Sequence, residues 1–301
     1  MKRILPFLLI FSLLFCACGE VSETSSVETP FPVTVGEITL LEKPERVVSL
    51  SPFITQTLIS LDLSDTLVGV SDFCVHPSAL KMGTAESPDI EAIVKAEPDF
   101  VLISQQMSEE GREYLSKNNI PFYIIEKPRT FNALTGLFCD LITVFEGKTD
   151  GLLRGQSLSA NIIARANAMK EIVALEENKT YLYVQPDGFY LTGETLISDI
   201  LKTIGFENVA EEYVDYLIDD DTLKQLEPSI IFVDKSVNIE QFSKTKPFNK
   251  MTDNIISLDM AEISRLSPRV LDAFLDLVGG EEAFTSSEET SSEIVSSEVT
   301  E

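Results

Sequence analysis

The sequence predicts an α/β protein with two lobes of mainly parallel β-sheet, joined by a single long α-helix. Three observations predict this fold class. Short apolar runs alternate with helical patterns in two separate series, a segment with helical periodicity separates the series, and one helix–strand unit of the first series recurs in the second. The length of 301 residues agrees with two lobes, since a domain usually takes about 100–200 residues.

The two series are defined by β-rich runs that alternate with helical periodicity. In the first series the predicted strands are 47–51, 68–71, 100–104 and 122–125, and the predicted helices are 53–61, 89–96 and 108–118. In the second series the predicted strands are 181–184, 230–234 and 255–259, and the predicted helices are 195–204, 221–226 and 267–278. Because strands that are separated by a helix run parallel, each series predicts one parallel sheet with helices on both faces.

A long helix is predicted between the two series. The segment 151–177 has apolar residues at helical spacing, no proline, and no glycine after Gly155. A helix of about 25 residues is about 38 Å long at 1.5 Å per residue. Because this length exceeds what a simple crossover requires, we predict that the helix is a rigid strut between the lobes.

An internal repeat supports two similar lobes. Residues 90–104 (IEAIVKAEPDFVLIS) and 220–234 (DDTLKQLEPSIIFVD) correspond at a constant offset of 130, so that Glu91 matches Asp221 and Pro98 matches Pro228. Each copy is an acidic residue that opens a short helix, then a proline that ends it, then a buried strand. Two lobes of similar fold explain the repeat most simply; the alternative is chance similarity of a common helix–strand unit.

The two ends of the chain differ from the predicted lobes. The N-terminus, MKRILPFLLIFSLLFCACGE, has two basic residues and then an apolar run of signal-peptide length, which predicts a signal peptide at 1–17. The following cysteine, Cys18, resembles the lipidated residue of a bacterial lipobox, and an ordinary cleaved signal is the alternative. Residues 18–30 are then predicted to form a flexible Ser/Thr/Glu-rich tether, and 285–301 are predicted to form a disordered acidic tail, to which no function is assigned. The first lobe is expected at 31–147, the linking helix at 148–178 and the second lobe at 179–284.

Composition excludes several classes of function. The net charge of −26 argues against a nucleic-acid partner, because phosphate binding needs clustered basic residues. One histidine, His76, excludes sites built from several histidines, so we expect no metal site in the protein itself. Neither a G-x-S-x-G elbow, an HExxH motif nor a phosphate-binding glycine loop occurs, so we expect a protein that is not an enzyme and has no catalytic residues. Whether Cys74 and Cys139 pair is left open.

Five segments together resemble a known family. They are ERVVSLSP (45–52), LVGVSDFCVHP (67–77), IEAIVKAEPDFVLIS (90–104), LTGETLISDILKTIGFENVAEE (191–212) and SPRVLDAF (267–274). Their order and spacing resemble the vitamin B12/iron-siderophore class of ABC-importer substrate-binding lipoproteins over about residues 31–284. The resemblance implies a ligand cleft between the two lobes, little closure of that cleft, and delivery of a metal chelate to a dimeric permease. It places the protein, as a monomer, on the extracytoplasmic face of a bacterial membrane, held by its N-terminal lipid.

The resemblance also implies two permease-docking residues. Glu91 and Asp221, the acids related by the repeat, match the family's docking carboxylates, one on each lobe. Related carboxylates on two similar lobes suit the two halves of a symmetric partner. The alternative is that both acids only cap their helices.

Ligand contacts are expected from the loops that follow the carboxyl ends of the strands. The candidates are Phe53, Phe73, Cys74, Gln105, Gln185, Tyr190, Thr192, Tyr216 and Arg265. Acidic residues in these loops, such as Asp72 and Asp187, favour a corrinoid or a neutral or cationic iron chelate as the ligand rather than a strongly anionic one. His76 and Cys74 are also considered as metal ligands, against the alternative that they make only local contacts.

Three further functions are kept as alternatives. They are a haem-binding protein of the same fold, an exported α/β enzyme, and a surface adhesin. No cofactor is expected, because the metal is predicted to arrive already chelated, as a cobalt corrinoid or an iron-siderophore.

Overall fold

The computed structural model describes residues 29–104, 107–177, 179–213 and 218–280. Four predicted features lie outside the described residues, namely the signal peptide, the lipidation site at Cys18, the tether up to residue 28 and the acidic tail. The same holds for two of the candidate ligand-binding residues, Gln105 and Tyr216.

The first lobe contains a five-stranded parallel sheet. Its chain begins with an antiparallel hairpin of β1 (Val33–Val35) and β2 (Ile38–Leu40). The sheet strands are β3 (Val47–Ser49), β4 (Leu67–Val70), β5 (Leu80–Lys81), β6 (Phe100–Ser104) and β7 (Phe122–Ile125), in the order β5-β4-β3-β6-β7. The helices between them are α1 (Pro52–Ser60), α2 (Ile90–Lys95) and α3 (Glu109–Lys117). All five residues of β6 are buried, as expected for a central strand covered by helices on both faces.

Two helices connect the lobes. They are α4 (Phe131–Glu146) and α5 (Leu152–Ala174), separated by a π-helical turn at Gly147–Gly151. The two helices pack antiparallel. Gly155 of α5 lies against Cys139 of α4, and further along α5 Ser159 Oγ donates to the carbonyl oxygen of the earlier residue Thr135 in α4 at 2.8 Å. Gly155 permits the close approach, since a Cβ at this position would lie 2.8 Å from Cys139 Cα. The predicted long helix is therefore α5, about 35 Å in length, and α4 lies along it.

The second lobe contains a four-stranded parallel sheet. Its strands are β8 (Thr180–Val184), β9 (Glu207–Asn208), β10 (Ile230–Asp234) and β11 (Ile255–Leu258), in the order β11-β10-β8-β9. Its α-helices are α6 (Leu196–Thr203), α7 (Asp220–Leu223), α8 (Ile239–Phe242) and α9 (Met260–Ser264). The predicted α-helix at 267–278 is instead a 3-10 helix at Val270–Val278, and α7 ends earlier than the predicted 226. None of the helices in the described ranges is long and apolar enough to cross a membrane.

The internal repeat corresponds to matching structure in the two lobes. The order β4-β3-β6-β7 in the first sheet is reproduced as β9-β8-β10-β11 in the second. Strands β6 and β10 keep the offset of 130, as do the residues that cap α2 and α7. Asp89 accepts from the backbone N–H of Ala92 at 2.9 Å, and Asp219 accepts from that of Thr222 at 3.0 Å. Chance similarity of one unit does not account for a shared sheet order, so the lobes are repeats of one topology.

One apolar core runs through both lobes. It packs one face of each sheet onto α4 and α5, and it includes Ile54 of the first lobe, Phe138 and Ala166 of the connecting helices, and Tyr181 and Phe274 of the second lobe. The opposite face of each sheet has a separate core. The lobes are therefore joined by continuous packing as well as by the chain.

Candidate functional site

Two adjoining cavities lie between the lobes. The larger has a volume of about 620 Å³ and the smaller about 500 Å³. Lys127 of the first lobe and Ser264 of the second line both cavities, which places the two side by side in one cleft. A cleft with walls from both lobes is the geometry that the family resemblance implied.

The cleft lies at the carboxyl ends of both parallel sheets. Ser51 and Pro52 follow β3, Phe73 follows β4, and Lys127 follows β7. In the second lobe Gln185 follows β8 directly, and α9, which ends at Ser264, follows β11. Ligands of open α/β sheets bind at this end, because the loops there are free to carry polar and aromatic side chains.

Four of the predicted contact residues line the cavities. Phe53, Phe73 and Arg265 line the smaller cavity, and Gln185 lines the larger. The side chain of Arg265 forms an ion pair with Glu262, one turn earlier on α9. Phe73 is 74% exposed, although a ring of this size is usually packed against the protein. An exposed ring in a cleft wall is available to pack against a ligand.

Three predicted contact residues line neither cavity. Cys74 is buried, with its Sγ 3.3 Å from Thr55 Oγ1. Tyr190 and Thr192 are buried because the chain at 189–192 returns along β8, where Gln185 N donates to the carbonyl oxygen of Phe189 at 2.8 Å. Side chains in such an extended segment alternate between two sides.

The same alternation turns the neighbours of Tyr190 toward the cleft. Phe189 and Leu191, the neighbours of Tyr190, line the larger cavity. Pairing with β8 determines which side chains of this segment face the cavity. The sequence alone does not reveal that pairing.

Lys127 and Arg129 are cavity residues that the sequence-based candidate set omits. Lys127 lines both cavities and Arg129 lines the larger one. Both side chains are exposed, and within the described ranges neither has a carboxylate at ion-pair distance. The other candidate residues were chosen because they follow the carboxyl end of a strand. Lys127 meets the same criterion, since it lies two residues after β7.

His76 and the two cysteines make local contacts. His76 Nδ1 accepts from the backbone N–H of Ala79 at 3.1 Å, and the side chain lines neither cavity. Cys74 and Cys139 are both free thiols. Burial raises the pKa of the Cys139 thiol. In the parts of the chain that the structure describes, no three His, Cys, Asp or Glu side chains come together as a metal site.

The two predicted docking acids occupy equivalent places in the lobes. Glu91 lies in the first turn of α2 and Asp221 in the first turn of α7, each two residues after its capping aspartate. Both are exposed, Asp221 to 88%, and Lys224 Nζ lies 2.9 Å from Asp221 Oδ1. The caps are Asp89 and Asp219, so neither Glu91 nor Asp221 is needed to cap its helix.

Comparison with known proteins places the chain in a family. The model of the periplasmic binding protein family matches residues 47–257. The ABC transporter substrate-binding lipoprotein YvrC of Bacillus subtilis (strain 168) is 22% identical over 296 residues, covering 90% of this chain and 93% of that protein.

Two solved structures share the fold. The periplasmic vitamin B12 binding protein BtuF of Vibrio cholerae has a TM-score of 0.59 at 18% identity, over 78% of this chain and 96% of that chain. The siderophore binding protein BauB, solved with two molecules of acinetobactin and ferric iron, has a TM-score of 0.63 at 15% identity, over 82% of this chain and 96% of that chain. Since the family model covers more than half of the sequence and the lobes, connecting helices and cleft agree with it, the chain belongs to the periplasmic binding protein family.

Proposed function

We propose that this chain is the lipid-anchored substrate-binding protein of an ABC importer, and that it captures a metal chelate and delivers it to the permease. The chelate is a cobalamin-type corrinoid or an iron-siderophore, with haem as the alternative within the same fold. The observation that carries the proposal is a cleft lined by both lobes, with exposed aromatic rings in its walls, in a chain of the periplasmic binding protein family. The names of its relatives are those of binding proteins.

The walls of the cleft suit a large ligand with flat apolar faces. Phe53 and Phe73 lie on the first lobe and Phe189 lies on the second. Aromatic rings bury large areas against such ligands, and a few polar groups then fix their orientation. Cavities of about 620 and 500 Å³ side by side accommodate a ligand of the size of a corrinoid or a ferric siderophore.

Ligand capture is tested by titrating the purified protein with cyanocobalamin, haemin and ferric siderophores, and by recording the absorption spectrum of any ligand that copurifies. We expect saturable binding of one chelate class with one site per chain. Absence of binding to all three classes would contradict the proposal.

Delivery is tested at Glu91 and Asp221. Charge reversal of both residues to Arg removes one exposed carboxylate from the same position of each lobe, so we expect loss of permease association and of uptake with unchanged ligand affinity. The matched control reverses Glu113 and Glu240, which are also exposed acids on short helices, each paired with a lysine one turn later. Loss of ligand binding in the Glu91 and Asp221 variant, or equal loss of uptake in the control, would refute the docking assignment.

Anchoring is tested at Cys18. The variant Cys18→Ser removes the thiol that carries the lipid, so we expect the protein to move from the membrane fraction to the medium or periplasm. Two or more acyl chains hold a protein at a membrane stably, whereas a protein without them is released.

A further inference from the structure

The charge of the cleft differs from the charge of the chain. Acidic residues outnumber basic ones by 49 to 23 in the whole sequence. Three of the acidic loop residues that favoured a neutral or cationic ligand, Asp72, Asp187 and Glu211, nevertheless line neither of the two cavities. Asp72 Oδ1 instead accepts from the backbone N–H of Gly83 at 3.1 Å, and Glu211 pairs with Lys202 at 2.6 Å. Asp187 Oδ1 accepts from the backbone N–H of Phe189 at 3.2 Å.

The basic side chains, in contrast, face the cleft. Lys127 lines both cavities, Arg129 lines the larger and Arg265 lines the smaller. Two acids, Glu194 and Glu86, also line the walls, one in each cavity, and within the described ranges neither forms an ion pair. Among the described residues, Lys127 has no carboxylate at ion-pair distance, although these two acids line the same walls.

The position of Lys127 distinguishes it from the two arginines. Arg265 is already paired with Glu262, and Arg129 borders a further small cavity that contains Glu194, Asp199 and Glu211. Lys127 lies where the two main cavities meet, so a ligand that fills either cavity, or spans both, contacts it. The remainder of the wall around it includes Phe53 and Phe73, which are apolar.

On the basis of the proposed function, we infer that the cleft selects a chelate with acidic groups at its periphery, and that Lys127 is the residue that determines this selectivity. A cation in a partly apolar concavity attracts anions more strongly than a cation on an open surface, because low-dielectric walls focus its field. A carboxylate of the ligand would form a charge-assisted hydrogen bond with the ammonium group. The apolar ring system of the same ligand would pack against the phenylalanines.

The test uses pairs of related chelates in which one member carries peripheral carboxylates and the other does not. The pairs are cyanocobalamin monocarboxylate against cyanocobalamin, ferrichrome A against ferrichrome, and haemin against its dimethyl ester. The wild-type protein is expected to bind the acidic member of its preferred pair roughly tenfold more tightly, in keeping with one hydrogen bond to a charged group. The preference should fall with increasing salt, since part of it is electrostatic and the site is open to solvent.

The variant Lys127→Gln should abolish this preference, because it should weaken binding of the acidic member roughly tenfold more than binding of the neutral member. Lys244→Gln is the matched control, because Lys244 is an exposed lysine that lines neither cavity and its loss changes the net charge equally. Two outcomes would overturn the inferred selectivity but not the proposed function. One is equal or tighter binding of the neutral member by the wild type, and the other is a preference for the acidic member that survives in Lys127→Gln. Binding of none of the six compounds would overturn the proposed function and this inference with it.

Discussion

Replacement of Phe73 by Ala tests the cleft without disturbing the fold. Phe73 follows β4 and lies in the wall of the smaller cavity with 74% of its surface exposed. A ring exposed to this extent packs little against the protein. We therefore expect the free energy of unfolding to change by no more than about 0.5 kcal/mol, as for other surface substitutions.

The expected loss of ligand affinity follows from the area of the ring. An aromatic side chain of about 200 Å² that is 74% exposed offers roughly 150 Å² to a ligand. If a flat chelate covers one face, about 75 Å² is buried, which at about 25 cal/mol per Å² contributes about 2 kcal/mol. Phe73→Ala should therefore weaken binding roughly 30-fold, since about 1.4 kcal/mol corresponds to a factor of ten.

The assay is titration of wild-type and variant protein with the chelate that the wild type binds, together with urea unfolding of the unliganded proteins. Tyr114→Ala is the matched control, because Tyr114 is an aromatic residue of α3 that is 42% exposed and lines neither cavity. Its removal should leave affinity unchanged. Unchanged affinity in a folded Phe73→Ala variant would show that the ring does not contact the ligand, and the assignment of this wall would fail.

Two further predictions concern stability and motion. Tyr181 Oη lies 3.3 Å from Ser198 Oγ in the core, whereas the buried hydroxyl of Tyr183 has no hydrogen-bond partner among the described residues. Tyr181→Phe should therefore lower the free energy of unfolding by about 1 kcal/mol, while Tyr183→Phe should leave it unchanged or raise it, as urea unfolding will measure. Equal destabilisation by both would contradict this reasoning. Small-angle X-ray scattering with and without a bound chelate should give the same radius of gyration to within about 0.5 Å, because packing is continuous between the lobes; a larger decrease would indicate domain closure.

The central strands were predictable because they are buried on both faces. Residues 100–104 and 230–234 were predicted as strands, and the bounds agree with β6 and β10. Fully buried parallel strands are continuous apolar runs, and proline or glycine marks their ends. Strands β5 and β9 have two residues each, which is too short for any periodicity, so the sequence contains no signal for them.

The pairing of α4 with α5 was not predictable from periodicity alone. The apolar spacing around Leu137 and Phe138 predicts a helix with one buried face. It does not show which other helix packs against that face. Antiparallel packing depends on contacts such as that between Ser159 and Thr135, and on the absence of a side chain at Gly155. These are properties of two surfaces that meet only in the folded chain.

The candidate site was predictable as a set of loops and less so as a set of side chains. Four residues chosen for their position after a strand line the cavities, namely Phe53, Phe73, Gln185 and Arg265. Exposure within a loop is decided by its local pairing, which buries Tyr190. The loops around the cleft were therefore predictable, whereas the charge of the cleft walls depends on which side chains the fold brings together.

The contacts between the lobes explain why the walls of the unliganded cleft are informative about its ligand. Thr57 Oγ1 of α1 lies 3.3 Å from the carbonyl oxygen of Leu266, and Phe131 N donates to Asp199 Oδ2 of α6 at 2.7 Å. A wide hinge motion would break these contacts and expose the apolar core that they border, which costs free energy roughly in proportion to the apolar area exposed. Closure by a wide rotation is therefore disfavoured, and the ligand must fit walls that are largely formed before it arrives. Under that condition, we expect Lys127 to keep its position at the meeting point of the two cavities when a ligand binds, so that its charge acts on the ligand from the first encounter.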